Sequence, residues 1–214
     1  MKNKIPRIHD ILYKRYGPQH WWPGDTPWEI CVGAVLTQNT NWGNVEKAIL
    51  RLKKINCLCP RKIISMPRAD LEEAIRPSGY YRLKAGRLLA VTEWWLKNVR
   101  DNMLHPSEKK LSYWRESILA VKGVGPETAD SILLYSFNLP TFVIDAYTKR
   151  IMSRHFGTAE DIDYHELQKL FLDNLPHKPE LFNEYHALLV RMAKEDCRKP
   201  GCGPGCPLKR HKLN

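Results

Sequence analysis

The chain has 214 residues, and its 34 Lys and Arg exceed its 23 Asp and Glu, which gives a formal net charge of +11. This length suffices for one large domain or two small lobes with a real core, and the basic excess favours a polyanionic partner. A basic protein without a nucleic-acid role would have the same charge, so charge alone decides nothing. No segment approaches the roughly 20 apolar residues that cross a bilayer, and residues 1–7 lack the apolar stretch of a signal peptide. We therefore expect no membrane partner and a cytoplasmic location.

Apolar residues recur at helical spacing along most of the chain, and no convincing strand alternation appears. The sequence therefore predicts an all-α fold. Breakers such as Pro23-Gly24 and Leu139-Pro140 separate the elements. The predicted helices cover residues 7–16, 27–40, 43–55, 69–76, 82–97, 112–120, 126–137, 145–155, 163–173 and 178–193.

A glycine-containing connection joins the predicted helices 112–120 and 126–137. Glycine at Gly123 and Gly125 permits positive φ and close approach of another chain. Pro126 suits the first turn of the next helix, where its missing N–H costs nothing. Exposed amides at that helix start form an anion site, so a DNA phosphate is the expected ligand of a helix-hairpin-helix here.

Three of the six cysteines, Cys197, Cys202 and Cys206, crowd into the last 18 residues. Clustering of this kind in a cytosolic chain indicates a metal site rather than disulfides. Cys31 is predicted to be a core residue.

The hairpin Val121–Ala129 together with Val143–Tyr147 resembles the helix-hairpin-helix (HhH-GPD) DNA glycosylases of the endonuclease III superfamily. Residues Gly33–Thr40 are similar to that superfamily's glutamine-bearing helix, and Gly79–Ala85 to its Tyr-x-x-Lys-Ala helix start. Trp21–Pro23 and Arg76–Gly79 add a resemblance to the bacterial 3-methyladenine glycosylase branch called MagIII.

The resemblance implies two helical lobes with a DNA-binding cleft between them. Residues 22–135 would form a six-helix barrel lobe with the hairpin, and 1–21 plus 136–214 a second lobe with the cysteine loop. Asp145 matches the family's catalytic aspartate, which would stabilise positive charge on the sugar and orient or deprotonate water. Taken alone, Asp145 is an ordinary helix N-cap, and the two roles can coexist.

Residues that match the family's DNA-binding positions lie in and around the hairpin. The resemblance implies that Gly123, Gly125, Lys122 and Thr128 contact the DNA backbone. It also implies that Gln38 fills the gap left in the duplex when the target base leaves the stack. The alternative for Gln38 is an ordinary polar helix residue.

Trp21, Trp22, Pro23 and Trp42 match the base pocket of the MagIII-like branch. An aromatic sandwich suits a cationic alkylated purine, because a ring face attracts positive charge. The alternative is that these tryptophans fill the core, as we expect for Trp94, Trp95 and Trp114.

Glu127 departs from the bifunctional members, which place a lysine two residues past the second glycine. A carboxylate cannot form the Schiff base needed for strand cleavage, so a monofunctional enzyme is predicted. Lys122 lies on the wrong side of the glycines for that role.

The family's iron–sulfur loop reads Cys-x6-Cys-x2-Cys-x5-Cys, whereas this chain has Cys197-x4-Cys202-x3-Cys206 and no fourth cysteine. His211 lies nine residues beyond Cys202, the family's span from second to fourth ligand. Three occupancies stay open: a [4Fe–4S] cluster, zinc held by three Cys and one His, or none.

The expected function is hydrolysis of the N-glycosidic bond of a damaged base, an alkylated purine such as 3-methyladenine, in base excision repair. The partner would be double-stranded DNA in a bacterial or archaeal nucleoid, bound by a monomer, and the chemistry would need no cofactor. One alternative is an endonuclease III-like glycosylase and lyase acting on oxidised pyrimidines. A second is a non-catalytic protein that binds damaged DNA.

Overall fold

A computed structural model describes residues 4–21, 24–105, 108–198 and 200–209. The all-α prediction is confirmed, since helices dominate and strands occur in the described ranges only as short pairs. The chain forms two compact units: one comprises Trp22–Leu139, and the other comprises Met1–Trp21 with Pro140–Asn214. No helix within the described ranges combines the length and the apolarity that crossing a bilayer would require.

The unit Trp22–Leu139 surrounds one apolar core, to which Trp94, Trp95, Trp114 and Cys31 all contribute as predicted. Its elements are α2 Pro27–Leu36, α3 Trp42–Lys54, α4 Pro60–Ser65, α5 Arg68–Ala74, a 3-10 turn Arg76–Ser78, α6 Tyr81–Asn98, the antiparallel pair β1 Val99–Arg100 and β2 Met103–Leu104, α7 Leu111–Leu119, α8 Pro126–Ser131 and a π-helical turn Ile132–Ser136.

The second unit has its own core, in which Phe142 stacks on Phe171 with ring centroids 4.2 Å apart. Tyr185 packs edge-on against Phe142 and donates its hydroxyl to the carbonyl of Ile5 at 2.8 Å. Its elements are α1 Lys4–Tyr16, α9 Ala146–Phe156, α10 Tyr164–Leu172, α11 Pro179–Glu195 and the antiparallel pair β3 Cys197–Arg198 and β4 Gly201–Cys202.

Every helix predicted from periodicity occurs, with ends displaced by a few residues. The predicted helix 27–40 ends at Leu36, and the predicted helix 126–137 widens into a π turn after Ser131. The sequence reading missed the short helix α4 and both strand pairs. Two-residue strands are too short to show alternation, and in α4 Ile63 is the single buried residue, which is too few to show a period.

Candidate active site

The hairpin between α7 and α8 has the glycine geometry that the sequence predicts at one of its two positions. Gly123 has φ of +88°, and a Cβ added there would lie 2.6 Å from Cγ of Arg87. Both conformation and crowding therefore require glycine at Gly123. Gly125 is extended, with φ of −94°, and a Cβ added there would meet nothing within 4 Å. The backbone at Gly125 is thus open to an approaching chain, and Pro126 begins α8 as predicted.

Gln38 lies in the turn after α2 and joins that turn to the hairpin. Its side-chain nitrogen donates to Thr128 Oγ1 at 2.9 Å and to the carbonyl of Gly123 at 3.1 Å. Arg87 donates to the amide oxygen of Gln38. The hairpin is therefore held in place by Gln38 and Arg87, and a Gln38 that entered a duplex would exchange these bonds for contacts with DNA.

An ion pair inside the same unit fixes α7 against α8. Arg115 binds the fully buried carboxylate of Asp130 through two hydrogen bonds, of 2.8 and 3.0 Å. Bidentate geometry of this kind orients both helices. Lys122 and Glu127 are exposed on either side of the glycines.

Asp145 forms the N-cap of α9, as its position before a helix predicts. Its Oδ1 accepts a hydrogen bond from the amide of Thr148 at 2.7 Å, while 13% of the side chain stays exposed. His186 Nε2 lies 3.5 Å from Oδ2. Burial raises the pKa of Asp145, but the charge of His186 and the Thr148 amide outweigh it, so the net pKa lies below the usual value. Asp145 is therefore a carboxylate at neutral pH.

His186 is a residue that the sequence reading missed. It lies on α11 with 4% of its surface exposed, and its ring stacks on Trp21 with centroids 5.5 Å apart and an angle of 21° between planes. The one available signal was a histidine on the otherwise apolar face of a predicted helix, a pattern that more often marks a core histidine.

Two of the four predicted base-pocket residues lie within the described part of the chain, and their surroundings differ. Trp21 stacks on His186, and Trp42 packs against the core beside Gly33, where an added Cβ would lie 3.2 Å from its ring. Trp22 and Pro23 lie outside the described residues. A pocket role for these four residues stays a prediction.

The predicted cysteines come together with a histidine that the sequence reading did not select. The Sγ atoms of Cys197 and Cys202 are 3.5 Å apart, and His155 Nε2 lies 3.7, 3.2 and 3.7 Å from the Sγ atoms of Cys197, Cys202 and Cys206. His211, predicted as the fourth donor, lies outside the described residues. His155 precedes the tail by 42 positions, too far for any spacing rule to connect them.

The three cysteines have the residue type and the C-terminal position of the iron–sulfur loop that the family resemblance implies. Their spacing differs from what a four-iron cluster needs, because the ligands of such a cluster bind four separate iron atoms at the corners of a cube. The distance between the Cys197 and Cys202 sulfurs and the three distances from the thiols to Nε2 of His155 are instead 3.2–3.7 Å. Atoms at this separation can share one ion.

Comparison with known proteins gives the class that the hairpin and the helical fold indicate. Residues 32–177 match the family described as "HhH-GPD superfamily base excision DNA repair protein". The chain belongs to this superfamily, which confirms the resemblance to the endonuclease III-like glycosylases.

Particular relatives cover nearly the whole chain. A protein of Methanocaldococcus jannaschii, provisionally named a DNA repair glycosylase, is 44% identical over 98% of this chain and 96% of its own. The Helicobacter pylori 3-methyladenine DNA glycosylase MagIII, solved with 1,N6-ethenoadenine, is 28% identical with a TM-score of 0.72, covering 90% of this chain and 95% of its own. An endonuclease III in a non-covalent DNA complex shares the fold, with a TM-score of 0.80 and 22% identity over 97% of this chain and 93% of its own.

Proposed function

We propose that this protein is a monofunctional DNA glycosylase that hydrolyses the N-glycosidic bond of alkylated purines in double-stranded DNA. The observation that carries the proposal is the ionised, partly exposed carboxylate of Asp145, held by the start of α9 and by His186. The family membership supports action on DNA, and MagIII supports an alkylated purine as substrate.

The proposed chemistry begins as the bond between the base and C1′ of the deoxyribose breaks. Positive charge then develops on the sugar, and the carboxylate of Asp145 stabilises it electrostatically. Asp145 also orients or deprotonates the water that adds to C1′. A carboxylate with a lowered pKa is a weak base but a reliable anion, so electrostatic stabilisation is its larger contribution.

His186 acts in this scheme as a positioning residue. Its Nε2 lies 3.5 Å from Oδ2 of Asp145, while the Thr148 amide donates to Oδ1, so each carboxylate oxygen has its own partner. The stacked ring of Trp21 limits rotation of the imidazole. The carboxylate is therefore oriented before substrate arrives, which is how an electrostatic catalyst avoids reorganisation during the reaction.

A cationic purine suits the proposed pocket of Trp21, Trp22, Pro23 and Trp42. Aromatic faces attract positive charge, and an alkylated purine is already a good leaving group. Selection can then depend on stacking, and little acid catalysis of the departing base is required. The chemistry itself needs no cofactor.

DNA is held in this proposal by the hairpin. The open backbone at Gly125, the exposed Lys122 and the start of α8 meet phosphates, and Thr128 and Gln38 complete the contact. These contacts do not read sequence, as expected of an enzyme that scans DNA for damage. We expect a monomer acting on cytoplasmic, nucleoid DNA.

Glu127 supports the absence of lyase activity. A Schiff base needs an amine at the sugar, and the carboxylate of Glu127 at the second position of α8 cannot supply it. Borohydride traps a Schiff base covalently, so wild-type protein should give no trapped complex on damaged DNA. The Glu127→Lys variant tests whether a lysine at this position is enough to give a trapped complex. Trapping by the wild-type protein would establish the bifunctional alternative.

The decisive experiment is incubation with duplex DNA methylated on its purines, followed by identification of the released bases. We expect 3-methyladenine to be released and the abasic strand to remain intact. Release of oxidised pyrimidines instead would contradict the alkylated-purine assignment. Tight binding of the same duplex with no base released would establish the non-catalytic alternative.

A further inference from the structure

We propose that His155, Cys197, Cys202 and Cys206 bind one zinc ion in tetrahedral geometry, and that this ion fastens the C-terminal loop to the end of α9. The site is independent of base release. A single structural ion takes the place of the four-iron cluster that the family resemblance implies.

The distances between the donor atoms carry the proposal. A tetrahedral zinc ion with Zn–S of about 2.3 Å and Zn–N of about 2.0 Å keeps two sulfurs about 3.8 Å apart, and a sulfur and a nitrogen about 3.5 Å apart. The observed Sγ–Sγ distance for Cys197 and Cys202 is 3.5 Å, and the three Sγ–Nε2 distances lie between 3.2 and 3.7 Å. The Nε2 atom of His155 and the Sγ atoms of Cys197 and Cys202 all lie within 4.8 Å of one another.

The fold places these donors through two independent elements. Antiparallel pairing of β3 and β4 sets Cys197 directly opposite Cys202, which brings their side chains to one side of the strand pair. The turn that follows brings Sγ of Cys206 to 3.7 Å from Nε2 of His155, and the amide of Cys206 donates to the carbonyl of Gly203 at 3.2 Å. His155 comes from the last turn of α9, which packs beside α11 in the same unit.

Neighbouring polar groups support a closed, anionic metal centre. Three thiolates around Zn²⁺ leave one net negative charge, and Arg154 Nη1 lies 3.5 Å from Sγ of Cys197. Arg150 Nε donates to the carbonyl of Cys197 at 3.0 Å. On binding, each coordinating thiol loses its proton to solvent while the neutral imidazole binds through Nε2.

The loop is also anchored through Asp196. Tyr16 donates its hydroxyl to the carboxylate of Asp196, and the carbonyl of Asp196 accepts the amide of Gly203 at 2.7 Å. The backbone on both sides of the strand pair that holds Cys197 and Cys202 is thus fixed by contacts that need no metal. A partly preorganised site of this kind favours a small ion with strict geometry.

The first experiment measures metal and sulfide in the full chain, purified without a histidine tag and without oxygen from a medium that contains both iron and zinc. Oxygen is excluded so that an oxidised cluster cannot be mistaken for an absent one. We expect about one zinc per chain, with iron and acid-labile sulfide below about a tenth of that. Four irons with matching sulfide, or protein with no bound metal, would overturn the proposal.

The second experiment identifies the nitrogen ligand by replacing zinc with Co²⁺, whose visible and near-ultraviolet bands report thiolate number and tetrahedral geometry. His155→Ala should weaken Co²⁺ affinity by more than the 10–100-fold typical of losing an outer-shell partner. His155→Cys should keep the ion and shift the spectrum toward four thiolates. This second variant separates loss of a ligand from failure to fold.

Two variants serve as controls for that assignment. His211→Ala removes the histidine that sequence spacing indicated, and the exposed His105→Ala removes an unrelated imidazole. Both should retain the Co²⁺ spectrum and affinity of the wild-type chain. If His211→Ala loses the ion while His155→Ala keeps it, the assignment of His155 is wrong.

Discussion

The two ends of α9 hold groups with different requirements for access: a reacting carboxylate at one end and the donors of a structural ion at the other. At the N-terminus, Asp145 is held by the Thr148 amide and by His186, and part of its side chain remains exposed. At the C-terminus, Nε2 of His155 lies within 3.7 Å of three thiol sulfurs. A reacting group must be oriented while a substrate can still reach it, whereas a structural ion is most stable when its own ligands exclude everything else.

The helix dipole favours this arrangement at both ends. Amides at the N-terminus stabilise an anion such as Asp145, and the C-terminal turn favours the positive charge of Arg154. Asp145 and His155 are ten residues apart, which corresponds to about 15 Å along the helix at 1.5 Å per residue. A metal at one end therefore cannot take part in chemistry at the other end, and the two can be tested separately.

The largest effect is expected from Asp145→Asn. The variant keeps an oxygen to cap α9 but loses the negative charge, so single-turnover release of 3-methyladenine should fall at least about 1000-fold. Duplex binding and melting temperature should change little. Asp163→Asn is the matched control, because Asp163 caps α10 through the amides of His165 and Glu166. Equal losses in both variants would mean that Asp145 is only a cap.

Removal of the metal should be the next largest effect, and it should appear in stability rather than in chemistry. Stripping zinc with a chelator should lower the free energy of unfolding by about 3 kcal/mol, or about 6–12 °C in melting temperature. Calorimetry of the metal-free and reloaded chains measures this difference. Single-turnover base release by metal-free protein that is still folded should remain near the wild-type rate, and its complete loss would contradict the separation of the two ends.

His186→Ala should produce an intermediate effect on rate with a specific pH signature. Loss of the imidazole removes a contact that lowers the pKa of Asp145, so that pKa should rise. Base release should slow about 10-fold, an effect of about 1.4 kcal/mol, and the acid limb of the pH–rate profile should move to higher pH. His186→Gln should recover part of the rate, while the acid limb of its profile should stay at the higher pH expected for His186→Ala.

The control for His186 is His9→Ala, since His9 packs edge-on against Tyr185 in the same unit without contacting Asp145. It should lower stability without moving the acid limb. If both variants move the acid limb of the pH–rate profile by a similar amount, general loosening of the unit causes the shift, and loss of the His186–Asp145 contact does not.

The smallest effect concerns Asp145 as a helix cap. Asp145→Ala should destabilise the protein by about 1 kcal/mol relative to Asp145→Asn, because alanine offers the Thr148 amide no acceptor. The folded pKa of Asp145 lies below its usual value of 3.8, so its charge stabilises the folded state above that pH. The advantage of the wild-type chain over Asp145→Asn should therefore disappear as pH falls through the folded pKa, which urea unfolding at several pH values can measure.

Some of these features were predictable from local sequence because their causes are local. Gly123 adopts positive φ, Pro126 starts a helix and Asp145 caps one, and each depends on a few neighbouring residues. The helices themselves follow from apolar periodicity. The clustering of Cys197, Cys202 and Cys206 was predictable for the same reason, since all three lie within ten positions.

The partners of these residues were not predictable, because contacts distant in sequence leave no periodic or spacing signal. His186 follows Asp145 by 41 positions and Cys202 follows His155 by 47. Each histidine lies on a helix whose pattern is satisfied without it. Likewise, sequence alone does not distinguish Gln38 from an ordinary polar residue, because its hydrogen-bond partners Gly123 and Thr128 lie some 90 positions away.

Local sequence patterns were enough to predict an all-α chain with a glycine hairpin, a capping carboxylate and a thiol-rich tail, and the motifs resemble those of the HhH-GPD superfamily. The fold was needed to show which histidine contacts the carboxylate and which lies beside the thiols. The reason is physical: backbone conformation is governed by neighbours along the chain, whereas side-chain chemistry is governed by neighbours in space, which the core brings together.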